Sequence, residues 1–447
     1  MVLPNHFLQH VQHLPGMDLP AFQHAHEQEE RIFSVRVNSA KLAHVQHLQT
    51  PAKPIPWCPQ GWYLSAKPSY TFDPLFHAGA YYVQEASSMF IHHILTQLAL
   101  PKNSTAVDMC AAPGGKTTLL ANYFSEGAVI SNEVIKTRNS ILVENCTKWG
   151  TPNMVATQND PKHFAALPGL AQVLVVDAPC SGSGLFRKDA NAVAEWSENN
   201  VALCSGRQQR ILADCLPCLQ TDGYLIYATC SYSFQENEDI VNWLCSTQNC
   251  TSVNIPFPEE WGIVRTQINQ AIGYRFYPNQ VGGEGFFVAV LQYHGGTLFS
   301  GGKATTLANV SATEMHNINA SILTTHQTVL KFNEQFLACN TAVASIHAVL
   351  VGTLYVKKLG ISLGSCKHQQ FLPEHDAAVS TLTIQLPSVE LSTEQAIGYL
   401  QKLNPDLPPC DNGWVRVLYQ NIGLGWIKKM NNRYNNYYPV NWRILKQ

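Results

Sequence analysis

Charged side chains are scarce in this chain: only 13% of its 447 residues are Asp, Glu, Lys or Arg, and the formal net charge is −2. A strong overall field that attracts polyanions is therefore excluded, so any surface for nucleic acid has to be local. Long apolar runs are missing as well, since none approaches the roughly 18 residues that a membrane-spanning helix needs. The hydrophobic content of 45% is typical of a folded, soluble protein.

Patterns for metal ions, disulfides and secretion are also absent. The 13 cysteines are odd in number and scattered, which favours reduced thiols. Cys215 and Cys218 have no second pair to complete a zinc site, and the 17 histidines form no cluster with ligand spacing. The N-terminus lacks the basic and apolar segments of a signal peptide. We therefore expect no metal ion, no membrane contact and a cytoplasmic location.

The chain is too long for one ordinary core and is expected to form several domains. Residues 1–74 mix helical and strand-like stretches and are expected to form an N-terminal α+β accessory domain. Within it, the Pro- and Trp-rich residues 50–59 are predicted to resist regular structure. Residues 294–306 are rich in Gly, Ser and Thr, which indicates a linker. Residues 307–380 and 381–447 are expected to form two small C-terminal domains.

Residues 75–293 alternate apolar strands with helix-length segments, which is typical of a parallel α/β domain. Strands are predicted at residues 104–107, 128–132, 154–157, 173–176, 223–228 and 286–291. Helices are predicted at residues 115–124, 136–149, 200–219 and 236–247. A Gly-rich patch at residues 282–285 predicts the turn of a hairpin before the last strand.

Two cysteines follow two predicted strands of this domain: Cys180 in the run Asp-Ala-Pro-Cys and Cys230 in the run Ala-Thr-Cys-Ser. In a parallel α/β sheet the carboxyl ends of the strands border the crevice where ligands bind. Two thiols there indicate covalent chemistry on an electrophile, with one of them as the nucleophile. A free cysteine is more often a small buried hydrophobic residue, but the neighbouring motifs supply the chemistry that such a pair needs.

The strongest local pattern is DMCAAPGGKTT at residues 108–118, where a strand enters a Gly-rich turn and then a helix. In this geometry backbone N–H groups approach a ligand closely. A phosphate-binding P-loop is excluded because Cys110 stands where its first glycine is required, and the dinucleotide pattern is absent. The remaining candidate is a nucleoside-type cofactor without a pyrophosphate, such as S-adenosylmethionine.

Acidic residues at the ends of the next two strands agree with such a cofactor. Glu133 follows the second strand, where a doubly wound fold places the acid that binds ribose hydroxyls. Asp160 follows the third strand and is a candidate acceptor for an adenine amino group. A single acid at a strand end is often only a turn residue or a helix cap. The informative feature is that acids follow successive strands of the domain in order.

Four runs together resemble the Nol/Nop/Sun family of RNA 5-methylcytosine methyltransferases: DMCAAPGGKTT, DAPCSGSGLFRKD (177–189), YATCSYSFQENEDIV (227–241) and YRFYPNQVGGEGFFVAVL (274–291). The segment GAYYVQEASS (79–88) is similar to the motif before the family's cofactor loop. The runs around Gly360, Gly423 and Tyr438 resemble the bacterial ribosomal-RNA branch. The resemblance implies a Rossmann-like, doubly wound α/β methyltransferase core with a small N-terminal α+β domain and a PUA-like, β-rich C-terminal region.

The chemistry of this family explains why two thiols are needed. Carbon-5 of cytosine is a poor nucleophile, and a thiolate that adds to carbon-6 enables carbon-5 to accept a methyl group. The resemblance implies that Cys230 is this nucleophile and that Cys180 assists proton removal or enzyme release. Spacing alone leaves the reverse order open. Asp177 is implied as the partner of the Watson–Crick edge of the base, where contact with the amino group selects cytosine over uracil.

The resemblance also implies a site for S-adenosyl-L-methionine. Its residues are Cys110, Ala111, Ala112, Pro113, Gly114, Gly115, Lys116, Glu133, Asp160 and Asp177. Arg138, on the helix after Glu133, is a further candidate.

Arg187 and Lys188 fit phosphate contact beside the target base, although a solvated pair of loop charges has the same pattern. Ala190 and Asn279 stand where the family often has Pro and His. These departures leave both thiols intact, so they concern local RNA contacts rather than catalysis.

Cations and aromatic residues interleave at the C-terminal end, where residues 413–447 contain no Asp or Glu. The cations are Arg416, Lys428, Lys429, Arg433, Arg443 and Lys446, and the aromatic residues are Trp414, Tyr419, Trp426, Tyr434, Tyr437, Tyr438 and Trp442. Cations for phosphates and aromatic faces for bases are expected of an RNA-binding surface, with Lys428 and Lys429 as the main candidates. A small β-domain core with a solvated basic face has the same composition.

We therefore expect a monomeric, S-adenosylmethionine-dependent RNA cytosine-5 methyltransferase that acts on small-subunit (16S) ribosomal RNA. A tRNA methyltransferase of the same mechanism is one alternative, and a non-catalytic RNA-binding ribosome assembly factor is another. The presence of Cys180, Cys230, Asp177 and the whole cofactor loop argues against the second alternative.

Overall fold

A computed structural model describes residues 3–28, 31–42, 50–367 and 370–445 of the chain. Within these ranges a ten-stranded central sheet is flanked by a four-stranded N-terminal sheet and by smaller sheets from the C-terminal third. No helix in the same ranges combines the length and apolar character needed to cross a membrane.

The first part of the chain forms helices and an antiparallel sheet. Its elements are α1 (Asn5–Val11), α2 (Leu19–Glu27), β1 (Phe33–Val37), β2 (Pro51–Ile55), β3 (Cys58–Leu64), α3 (Pro74–His77), β4 (Tyr81–Val83) and α4 (Phe90–Gln97). The strand order is β2-β3-β1-β4. The prediction that residues 50–59 resist regular structure is therefore wrong, because β2 and β3 pair there. Strand β2 lies at the edge of the sheet, where a proline without an N–H is tolerated.

The centre of the molecule is a sheet whose five inner strands are parallel. They are β5 (Ala106–Asp108), β6 (Val129–Asn132), β7 (Met154–Thr157), β8 (Ala171–Asp177) and β9 (Leu219–Thr229). Beyond β9 the sheet continues with antiparallel strands β10 (Cys250–Ser252), β11 (Val264–Ile268), β12 (Ala271–Phe276) and β13 (Phe286–Tyr293). The order is β11-β12-β13-β9-β8-β5-β6-β7, with β10 paired to β13.

Helices cover both faces of this sheet. They are α5 (Gly115–Tyr123), α6 (Lys136–Trp149), α8 (Glu198–Cys215) and α9 (Glu238–Thr247). The short helix α7 (Ala190–Glu195) has no buried residue and contacts the loop after β8 instead. Buried apolar side chains form one cluster on each face of the sheet. Val173 and Leu174 are neighbours on β8 but belong to different clusters, because successive side chains of a strand point to opposite faces. Burial on both faces explains why the inner strands are nearly continuous apolar runs. Helix α8 ends before the predicted residue 219 because Pro217 cannot continue it.

The C-terminal third contributes smaller sheets and one strand of the central sheet. Its helices are α10 (Ala312–Asn319), α11 (Thr341–Thr353), α12 (His375–Val379) and α13 (Thr393–Leu400). Its strands are β14 (Ile322–Leu323), β15 (Thr328–Phe332), β16 (Gln335–Cys339), β17 (Val356–Leu359), β18 (Ile361–Lys367), β19 (Gln370–Pro373), β20 (Thr383–Ile384), β21 (Ser388–Glu390), β22 (Gly413–Tyr419), β23 (Ile422–Met430) and β24 (Arg433–Asn436). The sheets are β14-β20, β15-β16-β18-β19 and β21-β22-β23-β24, while β17 pairs with β7.

The chain path through the central sheet determines where a ligand can bind. From β5 the chain proceeds to β6 and β7 on one side and then returns to β8 and β9 on the other. The order therefore reverses between β5 and β8, and a crevice opens at this point beyond the carboxyl ends of the strands. The loops after β5, β8 and β9 meet there. The predicted Rossmann-like, doubly wound fold is confirmed.

Candidate active site

The loop after β5 turns sharply into the N-terminus of α5. Asp108, the last residue of β5, is fully buried, and its Oδ2 accepts a 2.7 Å hydrogen bond from Thr117 Oγ1. Burial raises the pKa of Asp108 to about 6. Gly114 precedes the helix with a φ of +117°, a conformation that suits glycine and is unfavourable for residues with a Cβ. The turn presents the loop backbone to the crevice in front of the sheet.

A cavity of about 400 Å³ opens in front of this loop. Its volume is in the range of small-molecule and cofactor sites. The predicted cofactor residues that line it are Cys110, Ala111, Ala112, Pro113, Gly115, Lys116 and Asp177. Tyr82, Glu85 and Phe286 are among the residues that complete the wall, and sequence reasoning did not select any of these three.

Lys116 and Asp177 form an ion pair at the cavity wall, with 2.6 Å between Nζ and Oδ2. Their side chains are 14% and 33% exposed. Burial disfavours the charge on Lys116, but the carboxylate of Asp177 outweighs this effect and the pKa of Lys116 is raised. The Nζ atom also lies 5.5 Å from the centre of the Phe286 ring. The pair thus fixes a cation and a carboxylate beside the two cysteine loops.

Cys180 and Cys230 lie side by side, with 3.1 Å between their Sγ atoms. Strands β8 and β9 are adjacent and parallel, and Asp177 pairs with Ala228, so the two loops leave the sheet together. Both thiols are free and partly exposed, and Cys230 is among the residues that line the cavity. The hydrogen bond with Cys230, together with burial, raises the pKa of Cys180 well above its ordinary value.

Close backbone packing holds the two cysteine loops in place. The N–H of Gly184 donates a 2.8 Å hydrogen bond to the carbonyl oxygen of Cys230. A Cβ on Gly184 would lie 2.3 Å from the oxygen of Gly285 and 2.8 Å from that of Cys230. Only glycine at position 184 therefore allows the two cysteine loops and the segment at Gly285 to approach this closely.

Glu236 links the same two loops from inside the protein, and sequence reasoning did not select it. The residue is fully buried, and its Oε2 accepts 2.5 Å hydrogen bonds from the hydroxyls of Ser181 and Ser231. Its Oε1 accepts bonds of 2.8 Å from the N–H of Ser181 and 3.1 Å from Nε2 of Gln208. The only signal in the sequence is its place six residues after Cys230, where an acid resembles an ordinary helix start.

The predicted acids at the ends of β6 and β7 lie outside the cavity lining. Glu133 is 3% exposed, and its Oε2 lies 3.2 Å from Nη1 of Arg138. Arg138 lines the cavity and donates a 2.8 Å hydrogen bond to the carbonyl of Ala112, which ties Glu133 to the cofactor loop. The carboxylate of Asp160 accepts a bond from the N–H of Lys162 and lies 3.6 Å from Arg210. Cofactor contact by Glu133 and Asp160, and by Gly114, stays a prediction.

Arg187 is directed into the protein, whereas its neighbour Lys188 is exposed. The Arg187 side chain is 9% exposed, its Nη1 lies 3.8 Å from Oε2 of Glu284, and it donates to the carbonyl of Gly283. Glu284 lines the cavity and was not selected from the sequence; burial raises its pKa. Phosphate contact by Arg187 and Lys188 stays a prediction, and for Arg187 it competes with Glu284.

The cation-rich C-terminal segment divides into a surface part and a core part. Trp426 and Tyr438 are each 1% exposed, so they belong to the core. Arg416 also faces inward, donating 2.8 Å to the carbonyl of Ala378, and burial lowers its pKa to about 10.

The surface part is a cluster of Trp414, Lys428 and Tyr437. The two rings are 4.5 Å apart, and Nζ of Lys428 lies 5.5 Å from the centre of the Trp414 ring. Lys429, the next residue along β23, is partly exposed, whereas Lys446 lies outside the described residues. Partly exposed rings beside amines are available to bases and phosphates.

Comparison with protein families identifies three matching segments. Residues 95–292 match the family described as 16S rRNA methyltransferase RsmB/F. Residues 3–86 match the N-terminal domain of 16S rRNA methyltransferase RsmF, and residues 386–444 match the methyltransferase RsmF PUA domain. The matches follow one another along the chain and cover its N-terminal, central and C-terminal parts.

Whole-length relatives and solved structures agree with these segments. The chain is 30% identical over 434 residues to ribosomal RNA small subunit methyltransferase F of Erwinia tasmaniensis, covering 91% of this chain and 89% of that one. The protein of the same name from Aliivibrio fischeri strain MJ11 is 28% identical over 432 residues, covering 91% and 90%. A methyltransferase homolog protein from Pyrococcus horikoshii superposes with a TM-score of 0.54 and 28% identity over 65% of this chain and 95% of that one.

The predicted cofactor, S-adenosyl-L-methionine, is confirmed, because the matching family consists of methyltransferases that use it. A structure of NSun6 from Pyrococcus horikoshii shares the fold, with a TM-score of 0.55 and 18% identity over 65% of this chain and 98% of that one. The order of the motifs, the methyltransferase sheet and the similarity over nine-tenths of the chain lead to one conclusion: this chain belongs to the RsmB/F family of S-adenosylmethionine-dependent 16S rRNA methyltransferases.

Proposed function

We propose that this chain methylates carbon-5 of a cytosine in 16S ribosomal RNA and that Cys230 forms a transient covalent bond to the base. The observation that carries the proposal is the 3.1 Å separation of two free thiols, one of which, Cys230, lines a cofactor-sized cavity. Methylation of a hydroxyl or an amino group needs no such pair, because those atoms are nucleophilic themselves. Carbon-5 of cytosine needs activation by a nucleophile at carbon-6.

The residues around the cavity fit S-adenosyl-L-methionine. Behind the cavity lining, two buried carboxylate oxygens accept no hydrogen bond within the described part of the chain: Oδ1 of Asp108 and Oε2 of Glu133, the latter lying 3.2 Å from Nη1 of Arg138. Carboxylates suit the ribose hydroxyls and the cationic groups of this molecule, and Lys116 suits its carboxylate. We assign residues 110–116, Glu133, Asp160 and Asp177 to hold it. When bound, the cofactor supplies an electrophilic methyl group.

Cys230 begins the reaction by forming a bond between Sγ and carbon-6 of the base. The electron pair of the carbon-5–carbon-6 double bond moves to carbon-5, which bonds to the methyl carbon while the bond from that carbon to the sulfur of the methyl donor breaks and leaves its electron pair on that sulfur. Solvent water then takes the proton from carbon-5, the electron pair of that C–H bond forms the double bond again, and the bond from carbon-6 to Sγ breaks with its electron pair on sulfur. Lys116 interacts with Cys230 and places a positive charge near its sulfur.

Cys180 and Asp177 act on the same intermediate, and both belong to the end of β8 and the loop that follows it. Cys180 is in hydrogen-bond contact with Cys230, so it assists the second half of the reaction, in which the adduct is resolved. The carboxylate of Asp177 accepts from the exocyclic amino group of the base. Uracil lacks this group, so Asp177 would be left without a partner and uracil would be rejected.

The C-terminal segment fits the role of RNA anchor. The cluster of Trp414, Lys428 and Tyr437 combines aromatic faces with a cation, and exposed Arg433 and Arg443 lie in the same segment. Such surfaces bind single-stranded RNA through stacking and phosphate contacts. We propose that the protein acts as a monomer in the cytoplasm, where its ribosomal RNA substrate is made.

Trapping of the covalent adduct tests this function. Cys180→Ala protein, incubated with 16S ribosomal RNA and S-adenosylmethionine, is expected to accumulate an RNA–protein adduct that survives SDS, because release is slowed while attack is not. Cys230→Ala protein is expected to form none. Cys245→Ala is the matched control, since Cys245 is a partly exposed thiol outside the cavity lining, and it should behave like the unsubstituted chain.

Each other outcome has a distinct meaning. Adduct formation by Cys230→Ala instead of Cys180→Ala reverses the order of the two thiols. An adduct with tRNA but not with 16S ribosomal RNA, either free or in the assembled subunit, would change the substrate. Absence of any adduct and of any methylated cytosine in all arms refutes the proposed chemistry.

A further inference from the structure

We propose that Cys180 and Cys230 are a reversible redox switch, in which a peroxide joins their two sulfurs in a disulfide that stops methylation. A thiol reductant such as dithiothreitol reopens the bond and restores the active pair. This inference rests on the proposed function of the two thiols and adds a mode of regulation at the same site. Its basis is geometric, because the two Sγ atoms lie 3.1 Å apart and both thiols are free.

The two sulfur atoms are close to bonding distance. The S–S bond of a disulfide is about 2.05 Å long, so the two sulfurs have to approach each other by only about 1 Å. Rotation of the two side chains about their Cα–Cβ bonds supplies a movement of this size. The cross-link therefore needs no rearrangement of the strands that carry the two loops.

Backbone hydrogen bonds hold the two cysteine loops together on both sides of the thiol pair. The N–H of Ala178 donates a 2.9 Å bond to the carbonyl oxygen of Ala228. The N–H of Gly184 donates a 2.8 Å bond to the carbonyl oxygen of Cys230. The fold thus keeps the two sulfurs together in the reduced protein, and the loss of entropy that normally slows a reaction between two groups has already occurred on folding.

A small oxidant dissolved in water can reach the pair. Cys180 and Cys230 are both partly exposed, and Cys230 lines the cavity in front of the cofactor loop. By contrast, Cys215 and Cys218 are close along the chain but fully buried. Contact between the sulfurs and access from the cavity are therefore combined at the catalytic pair.

The oxidation by hydrogen peroxide takes two steps. In the first, one sulfur attacks a peroxide oxygen, an S–O bond forms, the O–O bond breaks, and a sulfenic acid and one water molecule result. In the second, the neighbouring sulfur attacks the oxidised sulfur, the S–S bond forms and the S–O bond breaks. The oxygen leaves with the proton of the second thiol as another water molecule. The two sulfurs lose two electrons, which reduce the peroxide.

The disulfide stops both halves of the proposed reaction. Cys230 can no longer bond to carbon-6 of the base, and Cys180 can no longer assist the resolution of the adduct. The second thiol also protects the first, because it captures the sulfenic acid before oxidation proceeds to the irreversible sulfinic acid. Disulfides in reducing compartments are mostly transient and either catalytic or redox-sensing, which fits a bond of this kind.

Peptide mapping of the oxidised chain tests the inference. The reduced full chain is treated with hydrogen peroxide, its remaining thiols are blocked with iodoacetamide, and the unreduced digest is analysed by mass spectrometry. A cross-linked peptide that contains both Cys180 and Cys230 is expected. The rate of 16S ribosomal RNA methylation, measured on the same samples after catalase has removed the peroxide, should fall in proportion to the cross-linked fraction. Dithiothreitol should restore the two separate peptides and the full rate.

Two variants distinguish the pair from other oxidation of the chain. In Cys180→Ser protein, Cys230 has lost its partner, so peroxide should convert it to the sulfinic acid, which dithiothreitol does not reverse. The readout is a mass increase of two oxygen atoms on the Cys230 peptide, and it needs no enzyme activity. Cys245→Ser is the matched control, because Cys245 is a partly exposed thiol outside the cavity lining. Its cross-linked fraction and its loss of rate should equal those of the unsubstituted chain.

Two results overturn the inference: absence of the cross-link between Cys180 and Cys230 after peroxide treatment, or a loss of rate that persists once dithiothreitol has reopened the cross-link. If Cys180→Ser protein does not fold, the cross-link in the unsubstituted chain decides the question.

Failure of the proposed function is recognised separately, in the reduced protein. Absence of methylated cytosine and of any RNA adduct before oxidation refutes the proposed function. Normal methylation by the reduced chain without a cross-link after oxidation refutes only the switch. A fully cross-linked chain that still methylates RNA refutes both.

Discussion

Replacing Gly184 with alanine places a methyl group at the point where three loops of the active site meet. The Cβ would lie 2.3 Å from the oxygen of Gly285 and 2.8 Å from the oxygen of Cys230, whereas ordinary contacts start at 3.4 Å. The obstructing atoms belong to the backbone and cannot rotate away. The loops must therefore separate by about 1 Å, and a displacement of that size at a reacting group reduces the rate by about 100-fold.

The loss should appear in the reaction rate more than in folding. Overpacking costs about 1–3 kcal/mol, so the variant is expected to melt at a lower temperature but to remain folded. Single-turnover methylation of 16S ribosomal RNA measures the rate of the chemical steps, and the SDS-resistant adduct shows whether the attack or the release has slowed. Because Cys230 is the displaced residue, the attack should slow and little adduct should accumulate.

Gly206→Ala is the matched control for this variant. Gly206 lies within helix α8, and a Cβ there meets no atom within 4 Å. Its substitution is expected to leave the rate unchanged and to raise stability by about 0.5–1 kcal/mol. The reasoning about loop packing is refuted if Gly184→Ala retains the methylation rate to within about threefold, since a 1 Å displacement of Cys230 cannot be so mild.

Two other predictions concern the cofactor and the RNA. Glu133→Ala is expected to weaken S-adenosylmethionine binding by about 10- to 100-fold, because hydrogen bonds to a charged group contribute about 1.5–3 kcal/mol. Calorimetry measures the affinity, and an unchanged affinity would place the ribose site elsewhere. Removing both amines with Lys428→Ala and Lys429→Ala should reduce the slope of log affinity against log salt by roughly 1.4, which corresponds to two phosphate contacts on single-stranded RNA. Filter binding at several KCl concentrations gives the slope, and an unaltered slope would exclude these two residues from the interface.

Elements with strong local signals could be predicted closely from the sequence. Helix α6 was expected at residues 136–149 and has those bounds, because Gly150 ends it in the left-handed conformation with a φ of +77°. Strand β7 also has the predicted bounds, since four apolar or β-forming residues are enclosed by turn residues. The meeting of the two cysteine loops followed from the rule that carboxyl ends of adjacent parallel strands share one crevice.

Features that depend on contacts between distant segments could not be predicted in this way. Strand β2 was missed because its prolines are acceptable only at a sheet edge, and edge position is a property of the whole sheet. Glu236 was missed because its importance lies in bonds to Ser181, 55 residues earlier. The inward direction of Arg187 depends on Glu284, nearly 100 residues away, and no local pattern records it.

Strand β17 has a consequence for how the protein is made. It joins the edge of the catalytic sheet by pairing with β7, although about 200 residues separate the two strands along the chain. During synthesis from the N-terminus, β7 therefore remains an open sheet edge while the parallel core and residues 294–306 are already outside the ribosome. An open edge is a template for pairing with other chains, so a nascent chain is most vulnerable to aggregation in the interval before residue 359 emerges.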